Sequence, residues 1–230
     1  MSWARDEVLF RAQFGLLGLR SVYNLVYRQD RSSESVEQET VELVSSLVND
    51  GLAVVGDRTD HGFEPWTDSV RVDSGREAWL QLTDAGRLAA RAVAVDTEKP
   101  DITVRQWNWP LAQAAANVLV YGTIDWVELG QIHWRVKEVS TDVPVEVVQQ
   151  RTLELIAELV RGGLVLVGSF DNAARGFVPW DCPLDEALSR IRAVYVDGFD
   201  DTATWEWFCL LELTRRGDVL AREIEAQTAS

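Results

Sequence analysis

Few side chains in this 230-residue chain have the type and spacing that catalysis or metal binding requires. It contains two histidines, His61 and His133, and two cysteines, Cys182 and Cys209. A tetrahedral zinc site needs four such ligands close together, and these residues are widely separated in sequence. Neither histidine has a serine, cysteine or aspartate at a spacing that suggests a proton relay. We therefore expect no metal site, and we interpret both cysteines as structural or incidental thiols.

Two further candidates for chemistry have structural interpretations. The segment RGGLVLVG at 161–168 has its glycines before a predicted strand, whereas phosphate-binding loops have them after a strand. We interpret these glycines as a helix end. His133 lies beside Trp134 on a predicted helix, where packing is a commoner role for histidine than catalysis. The sequence thus predicts a protein that is not an enzyme, with no catalytic residue and no cofactor.

The elements that would position any site are present twice, because the chain contains an internal duplication. Residues 40–56 align with 152–168 at a constant offset of 112, with nine identities in seventeen positions. Two later motifs also recur: GFEPW at 62–66 with GFVPW at 176–180, and LTDAGRLAAR at 82–91 with LTRRGDVLAR at 213–222. The last offset is larger, 131, which indicates that a surface loop is longer in the second copy.

In the first copy, helices are predicted on both sides of a polar segment. The residues before it predict two short helices interrupted near Gly15 or Gly18. After it, apolar residues at spacings of three and four predict a helix over 34–49, capped by Ser32 or Ser33. These three helices precede the short segment 52–56, which is rich in β-branched residues.

A hairpin and a closing helix are predicted next. The short segments 52–56 and 79–83 predict antiparallel strands, with 57–78 as a long hairpin tip. A final helix over about 84–95 is predicted to begin from Thr83 as its cap.

The second copy predicts the same series with a larger hairpin. Its first two helices are predicted within 110–122 and 125–139, and the third begins at Pro144. The hairpin, roughly 169–208, contains LDEALSRIRAVYV, which is periodic enough to predict an inserted helix. We expect domains over 1–95 and 109–230. The linker between them, 96–108, is indicated by Pro100 and several charges, which interrupt both the helical and the strand periodicity.

This order of helices and strands resembles the winged-helix domain, a helix-turn-helix variant with a β-hairpin wing. The sequence LVNDGLAVVG…WLQLTDAGRLAAR is similar to the closing half of bacterial regulators of the multiple-antibiotic-resistance type. The resemblance covers 40–91 and 152–222. It implies an α+β fold, mainly α, with two tandem winged-helix domains. Winged helices serve both as DNA readers and as protein-binding modules, so the resemblance alone does not select a function.

The chain is strongly acidic, with 37 Asp and Glu residues, 22 Lys and Arg residues and a formal net charge of −15. Such a surface repels nucleic-acid phosphates and attracts a basic protein. No run of 18 apolar residues could span a membrane, and the N-terminus is charged where a signal peptide requires an apolar segment. We expect a cytoplasmic protein with no membrane contact and a basic protein partner.

The third helix of each copy carries this acidic character. In winged helices that read DNA, this helix enters the major groove and presents Arg, Lys, Asn or Gln. The first copy has no Lys or Arg here, and its acidic residues are Glu34, Glu37, Glu39, Glu42 and Asp50. The second has Arg151 and Arg161 among the more numerous Glu146, Glu154 and Glu158. Neither helix is suited to DNA, although such charges also occur on simple solvated faces.

Eight of the ten tryptophans fall into two classes. Each copy has a phenylalanine and a tryptophan in the GF.PW motif, which we interpret as structural anchors of the wing: Phe63 with Trp66, and Phe177 with Trp180. The second class has no clear counterpart in the first copy: Trp107, Trp109, Trp126, Trp134, Trp205 and Trp207. These fill an interface between the domains or form a patch for a partner, and the interface is the favoured interpretation.

The combined pattern favours a non-enzymatic protein-binding module, such as an immunity or antitoxin-like protein that covers a basic site of a toxin. The candidate partner-binding residues are Glu34, Glu37, Glu39, Glu42, Trp126, Trp134, Glu146, Glu154 and Glu158. One alternative is a winged-helix transcription regulator, which requires a basic cluster from Arg175, Arg190, Arg192, Arg215 and Arg216. Another is an adaptor subunit of a larger assembly.

Overall fold

The structure, a computed structural model, describes residues 3–29, 35–66, 77–95 and 111–228. The fold is α+β and mainly α, as the sequence predicts, and it contains two four-stranded antiparallel sheets, of which two strands each were predicted. The chain divides into two compact units. The first comprises Met1–Thr97 with Asp171–Gly176, and the second comprises Glu98–Phe170 with Phe177–Ser230. The predicted linker lies outside the described residues.

The first unit has four helices and four strands among its described residues. In chain order they are α1 (Trp3–Ala12), β1 (Leu17–Gly18), α2 (Leu19–Gln29), α3 (Val36–Asn49), β2 (Ala53–Thr59), β3 (Gly62–Pro65), β4 (Trp79–Leu82) and α4 (Asp84–Val95). The sheet order is β1-β4-β2-β3. The predicted apolar face of α3 is its buried one, formed by Val36, Thr40, Val44 and Leu47. The proposed capping serines lie outside the described residues.

The predicted strand pairing is confirmed, but the predicted hairpin tip is wrong. Strands β2 and β4 are antiparallel, with Ala53 opposite Leu82 and Gly56 opposite Trp79. However, β2 continues to Thr59, and β3 returns beside it after a two-residue turn. Residues 57–66 are thus mostly strand, since main-chain pairing needs no apolar side chain at an exposed sheet edge. Residues 67–76 of the predicted tip are outside the described part of the chain.

The second unit repeats this order and adds two helices. Its elements are α5 (Leu111–Gly122), β5 (Val127–Glu128), α6 (Leu129–Val139), α7 (Val145–Arg161), β6 (Val165–Asp171), β7 (Gly176–Pro179), α8 (Leu184–Tyr195), α9 (Thr202–Trp205), β8 (Leu210–Leu213) and α10 (Arg215–Thr228). The sheet order is β5-β8-β6-β7. The inserted helix is confirmed as α8, whereas α9 was not predicted. No helix in the described residues has the length and apolarity that a membrane span requires.

The phenylalanine of each duplicated GF.PW motif packs against a glycine of the neighbouring strand, Gly56 in the first unit and Gly168 in the second. A Cβ at Gly56 would overlap the carbonyl oxygen of Glu64 and lie 2.8 Å from the Phe63 ring. At Gly168 it would overlap the carbonyl of Val178 and lie 2.6 Å from the Phe177 ring. Only glycine leaves room for the phenylalanine against the neighbouring strand. The motif is therefore a packing device that both units use.

The duplicated LT..G motif closes the last helix of each unit onto the end of the third. Thr83 caps α4 by accepting a hydrogen bond from the Gly86 amide at 3.1 Å, and its hydroxyl donates to the Gly51 carbonyl at 2.6 Å. Thr214 makes the same two bonds, at 3.1 and 2.6 Å, with Gly217 and Gly163. The predicted capping role of Thr83 is confirmed. These identities maintain backbone geometry rather than a binding site.

Candidate interaction surface

The solvent-facing side of α7 carries a row of four polar side chains. Glu146, Gln150, Glu154 and Glu158 are spaced four apart, so they share one face, and all four are exposed. The Gln150 amide donates to Glu154 at 2.9 Å. Glu158 pairs with Arg161 at 3.1 Å, one turn from the helix end. The row therefore presents three carboxylates, of which one has a basic neighbour on the same helix.

A similar face is present on α3. Gln38 and Glu42 are exposed, and the Gln38 amide donates to Glu42 at 2.9 Å. These residues correspond to Gln150 and Glu154 at the offset of 112, so the same pair occurs on both third helices. Glu39 is half-buried and accepts a hydrogen bond from the Ser35 hydroxyl at 2.9 Å. Glu34 lies outside the described residues.

Arginines of the chain lie on these polar faces. Glu37 of α3 forms an exposed ion pair at 3.6 Å with Arg175, which belongs to the same compact unit. Further along α3, Arg5 donates to the Ser46 hydroxyl at 2.9 Å and to Asp50 at 2.7 Å. On α7, Arg192 donates to the side-chain oxygen Oε1 of Gln150 at 3.2 Å. Within the described residues, arginine guanidinium groups thus contact both of these faces.

The inserted helix α8 lies along one side of α7. Its buried side chains Ala187, Ile191 and Tyr195 are spaced four apart and enter the core of the second unit. The side-chain amide of Gln149, which is itself buried, donates to the Tyr195 carbonyl at 3.3 Å. With the Arg192–Gln150 bond described above, these contacts place α8 beside the N-terminal half of α7. The helix that corresponds to a DNA reader is therefore flanked by a second helix.

A buried polar chain connects α6, α7 and α8. The Tyr195 hydroxyl donates to Thr152 at 3.2 Å, and Thr152 donates to the Val148 carbonyl at 2.8 Å. The Tyr195 oxygen, 2.6 Å from His133 Nδ1, therefore accepts the imidazole proton. His133 is 3% exposed, so it is a packed residue, as its sequence context suggests. This series of hydrogen bonds ends on the Val148 backbone carbonyl.

Aromatic rings surround this chain. The His133 ring lies 5.3 to 5.7 Å from those of Trp134, Tyr195, Phe199 and Trp205. Burial, with a smaller contribution from the nearby Lys137 charge, lowers the pKa of His133 to about 4. Burial also raises the pKa of Tyr195 to about 12, against a smaller opposite effect of its bond to Thr152. The imidazole therefore stays neutral at neutral pH.

Acid should destabilise the protein through His133. The folded pKa of about 4 lies below the ordinary value of 6.5, so between these values the unfolded chain binds a proton that the folded chain does not. Stability is therefore retained above pH 6.5 and lost as the pH falls to 4, by about 3 kcal/mol from this group. Urea unfolding at pH 7, 5.5 and 4.5 measures the loss. His133→Asn should have a shallower dependence on pH, and an unchanged slope would contradict this assignment.

The structure separates the predicted tryptophans into different environments. Trp126 is half-buried, and its indole donates to Glu212 at 3.4 Å. Trp134 is 48% exposed on α6, with Lys137 Nζ 4.5 Å from its ring. Trp205 is 2% exposed within the core of the second unit, and Trp207 is 66% exposed. Trp205 is thus a core residue, a placement that neither sequence-based alternative anticipated. Trp107 and Trp109 lie outside the described residues.

The wing aromatics pack onto their own units. The Trp66 indole donates to Asp57 at 2.9 Å, and its ring contacts the first core. The Trp180 indole donates to Ser169 at 3.3 Å, and its ring lies 5.7 Å from that of Phe208. Phe177 is fully buried, and Phe63 is half-buried. The two phenylalanines thus lie in paired strands, and the two tryptophans that follow these strands contact the cores.

The arginines that the regulator alternative needs are divided between elements. Arg190 and Arg192 lie on α8, where Arg190 pairs with Glu186 and Arg192 with Gln150. Arg215 and Arg216 begin α10. Arg175 contacts Glu37, as described above. Arg175, Arg190 and Arg192 therefore have acidic or polar partners in the chain.

Within the described residues, no group of three or more His, Cys, Asp or Glu side chains could hold a metal ion. Both cysteines are free thiols, and burial raises the pKa of Cys209 to about 12, which makes it a poor nucleophile. No protein-family model matches the sequence, and searches of curated proteins and solved structures found no significant match.

Proposed function

We propose that this chain is a tandem winged-helix protein that binds another protein and has no catalytic activity. Each unit has three helices followed by a β-hairpin, a further strand and a closing helix, which is the order that suggests the winged helix. The contacting surfaces would be the exposed faces of α3 and α7. The partner would be a basic protein.

The observation that carries this proposal is the charge of those two faces. Helix α3 has no Lys or Arg; Glu42 is exposed on it, and the exposed Glu37 pairs with Arg175. On α7, Arg161 is paired with Glu158, and the half-buried Arg151 donates to the Ser140 hydroxyl at 2.9 Å. Duplex DNA carries one negative charge per about 1.7 Å of its axis, so these faces would be repelled from a groove. A basic polypeptide would be attracted instead.

The position of α8 also argues against groove insertion by the second unit. The major groove is about 12 Å wide, and an α-helix with its side chains is about 10 to 12 Å across. One helix therefore fills the groove. With α8 against the N-terminal half of α7, the pair is too wide to enter undeformed DNA. A protein surface, which can provide a wider cleft, does not impose this limit.

A concrete form of the proposal is an immunity or antitoxin-like protein that covers the basic cleft of a toxin. The net charge of −15 supports it, since electrostatic steering accelerates association with a cationic site. Two acidic helices on one chain could also contact two parts of such a cleft. Carboxylates on these faces would then occupy positions that phosphate groups take in a nuclease.

Site-specific photocrosslinking tests this function. Benzoylphenylalanine would be introduced at Glu42 or Glu154, with exposed Glu225 on α10 as the matched control position. In cells of the source organism, we expect positions 42 and 154 to yield adducts with one basic polypeptide, and position 225 to yield none. Adducts with nucleic acid, or a pattern that is the same at all three positions, would refute the proposal.

A further inference from the structure

Both third helices carry polar pairs spaced four residues apart; an arginine of the chain contacts both members of one pair on α3 and one member of a pair on α7. On α3, Ser46 and Asp50 together accept from Arg5, at 2.9 and 2.7 Å. On α7, Gln150 accepts from Arg192 at 3.2 Å while its own amide donates to Glu154. The spacing places two acceptors side by side along one face, which suits the several N–H groups of arginine.

The pair Gln38 and Glu42 has the same residue types and the same internal hydrogen bond as Gln150 and Glu154. It also lies in the same row of α3 as Ser46 and Asp50, one turn toward the N-terminus. In the described part of the chain, no arginine or lysine contacts Gln38 or Glu42. Both side chains are exposed. Among the described residues, this pair is therefore the counterpart of Gln150 and Glu154 that no cation contacts.

We propose that Gln38 and Glu42 form a binding position for an arginine side chain of the partner protein. This inference rests on the proposed function and specifies the chemistry of its first contact surface. The partner guanidinium would donate to the Gln38 carbonyl oxygen and to the Glu42 carboxylate. Arginine is favoured over lysine because its planar fork can reach two acceptors at once, whereas an ammonium acts as a point charge. At the equivalent position of α7, Arg192 already contacts Gln150, whereas no cation in the described residues contacts Gln38 or Glu42.

An arginine peptide and a lysine peptide of equal charge, with an uncharged citrulline peptide as control, test the inference on the full chain. The probes are fluorescent 16-residue helical peptides with four arginines, the same peptide with four lysines, and one with four citrullines. Fluorescence anisotropy gives each dissociation constant. We expect the arginine peptide to bind about fivefold more tightly than the lysine peptide, the value of one additional hydrogen bond. The citrulline peptide should not bind.

Two variants locate the preference. Glu42→Gln should remove the preference for arginine over lysine, and the control Glu154→Gln should retain it. Urea unfolding would show that both variants fold. Equal binding of the two basic peptides, or a preference that persists in Glu42→Gln, would overturn the inference. If both peptides bind equally and Glu42→Gln weakens both, the acidic surface stands and only the arginine assignment fails. If neither peptide binds, the proposed function fails with it.

Discussion

Replacing Trp205 with alanine is expected to lower the free energy of unfolding of the second unit by about 3 to 5 kcal/mol, the usual cost of removing a buried aromatic side chain. The Trp205 ring lies 5.0 Å from that of Tyr195 and stacks on Phe199 at 5.2 Å. Its indole also donates to the Phe199 carbonyl at 2.9 Å. The substitution would leave a cavity beside His133 and remove a donor from a buried carbonyl.

The chain provides a matched control two residues away. Trp207 is 66% exposed, so Trp207→Ala should change the free energy of unfolding by less than about 0.5 kcal/mol. Urea unfolding followed by far-ultraviolet circular dichroism measures both variants, because this signal does not depend on the removed indole. Similar losses in the two variants would show that Trp205 is not the centre of this core.

These two tryptophans show a limit of sequence interpretation. Both are in one short segment of the inserted loop, and the letters alone give no reason to bury one and expose the other. The difference comes from α9, which places Trp205 against Tyr195 and against His133, a residue that is distant in sequence. Aromatic packing of this kind depends on the tertiary arrangement of the insertion and has no periodic signal.

The duplicated elements were predictable because their signals are local. The apolar periodicity of α3 and α7 and the capping of α4 by Thr83 follow from residues near one another in sequence, and so does the strand character of β2 and β4, although these strands pair across a long segment. The extension of β2 and the presence of β3 were missed. Asp57 and Arg58 have low β propensity, yet they pair with Glu64 and Phe63 at the sheet edge.

The candidate surface was predicted only in part. The carboxylates were evident from charge, and the structure places Glu37, Glu42, Glu146, Glu154 and Glu158 on exposed faces. Sequence interpretation missed Gln38 and Gln150, although their identity at the offset of 112 was a usable signal. It could not have found the Arg192–Gln150 contact, which joins two helices separated by more than 20 residues.

Reversing charge on both third helices is expected to produce the largest functional effect. The double variant Glu42→Lys with Glu154→Lys should weaken binding to the polypeptide captured by crosslinking at least about 100-fold, because close charge pairs at interfaces couple by about 1.5 to 7 kcal/mol. Both the lost attraction and the new repulsion contribute. Isothermal titration calorimetry with the purified partner at 50 and 200 mM salt measures the effect.

A double variant on α10 provides the control. Glu223→Lys with Glu225→Lys makes the same change in net charge at exposed positions outside the proposed surface. We expect it to reduce affinity only a few-fold, through long-range electrostatics that 200 mM salt largely screens. Equal losses in the two double variants would mean that overall charge, rather than the faces of α3 and α7, governs binding.

Titration of the wild-type chain with a fluorescent 20-base-pair duplex at 20 mM salt tests most directly whether these helices bind protein rather than DNA. At this ionic strength, phosphate contacts are at their strongest, so a DNA reader would bind even a non-cognate duplex. We predict no change in anisotropy up to 10 µM protein, under conditions in which the captured polypeptide binds. Micromolar or tighter duplex binding that weakens steeply between 20 and 200 mM salt would contradict the account.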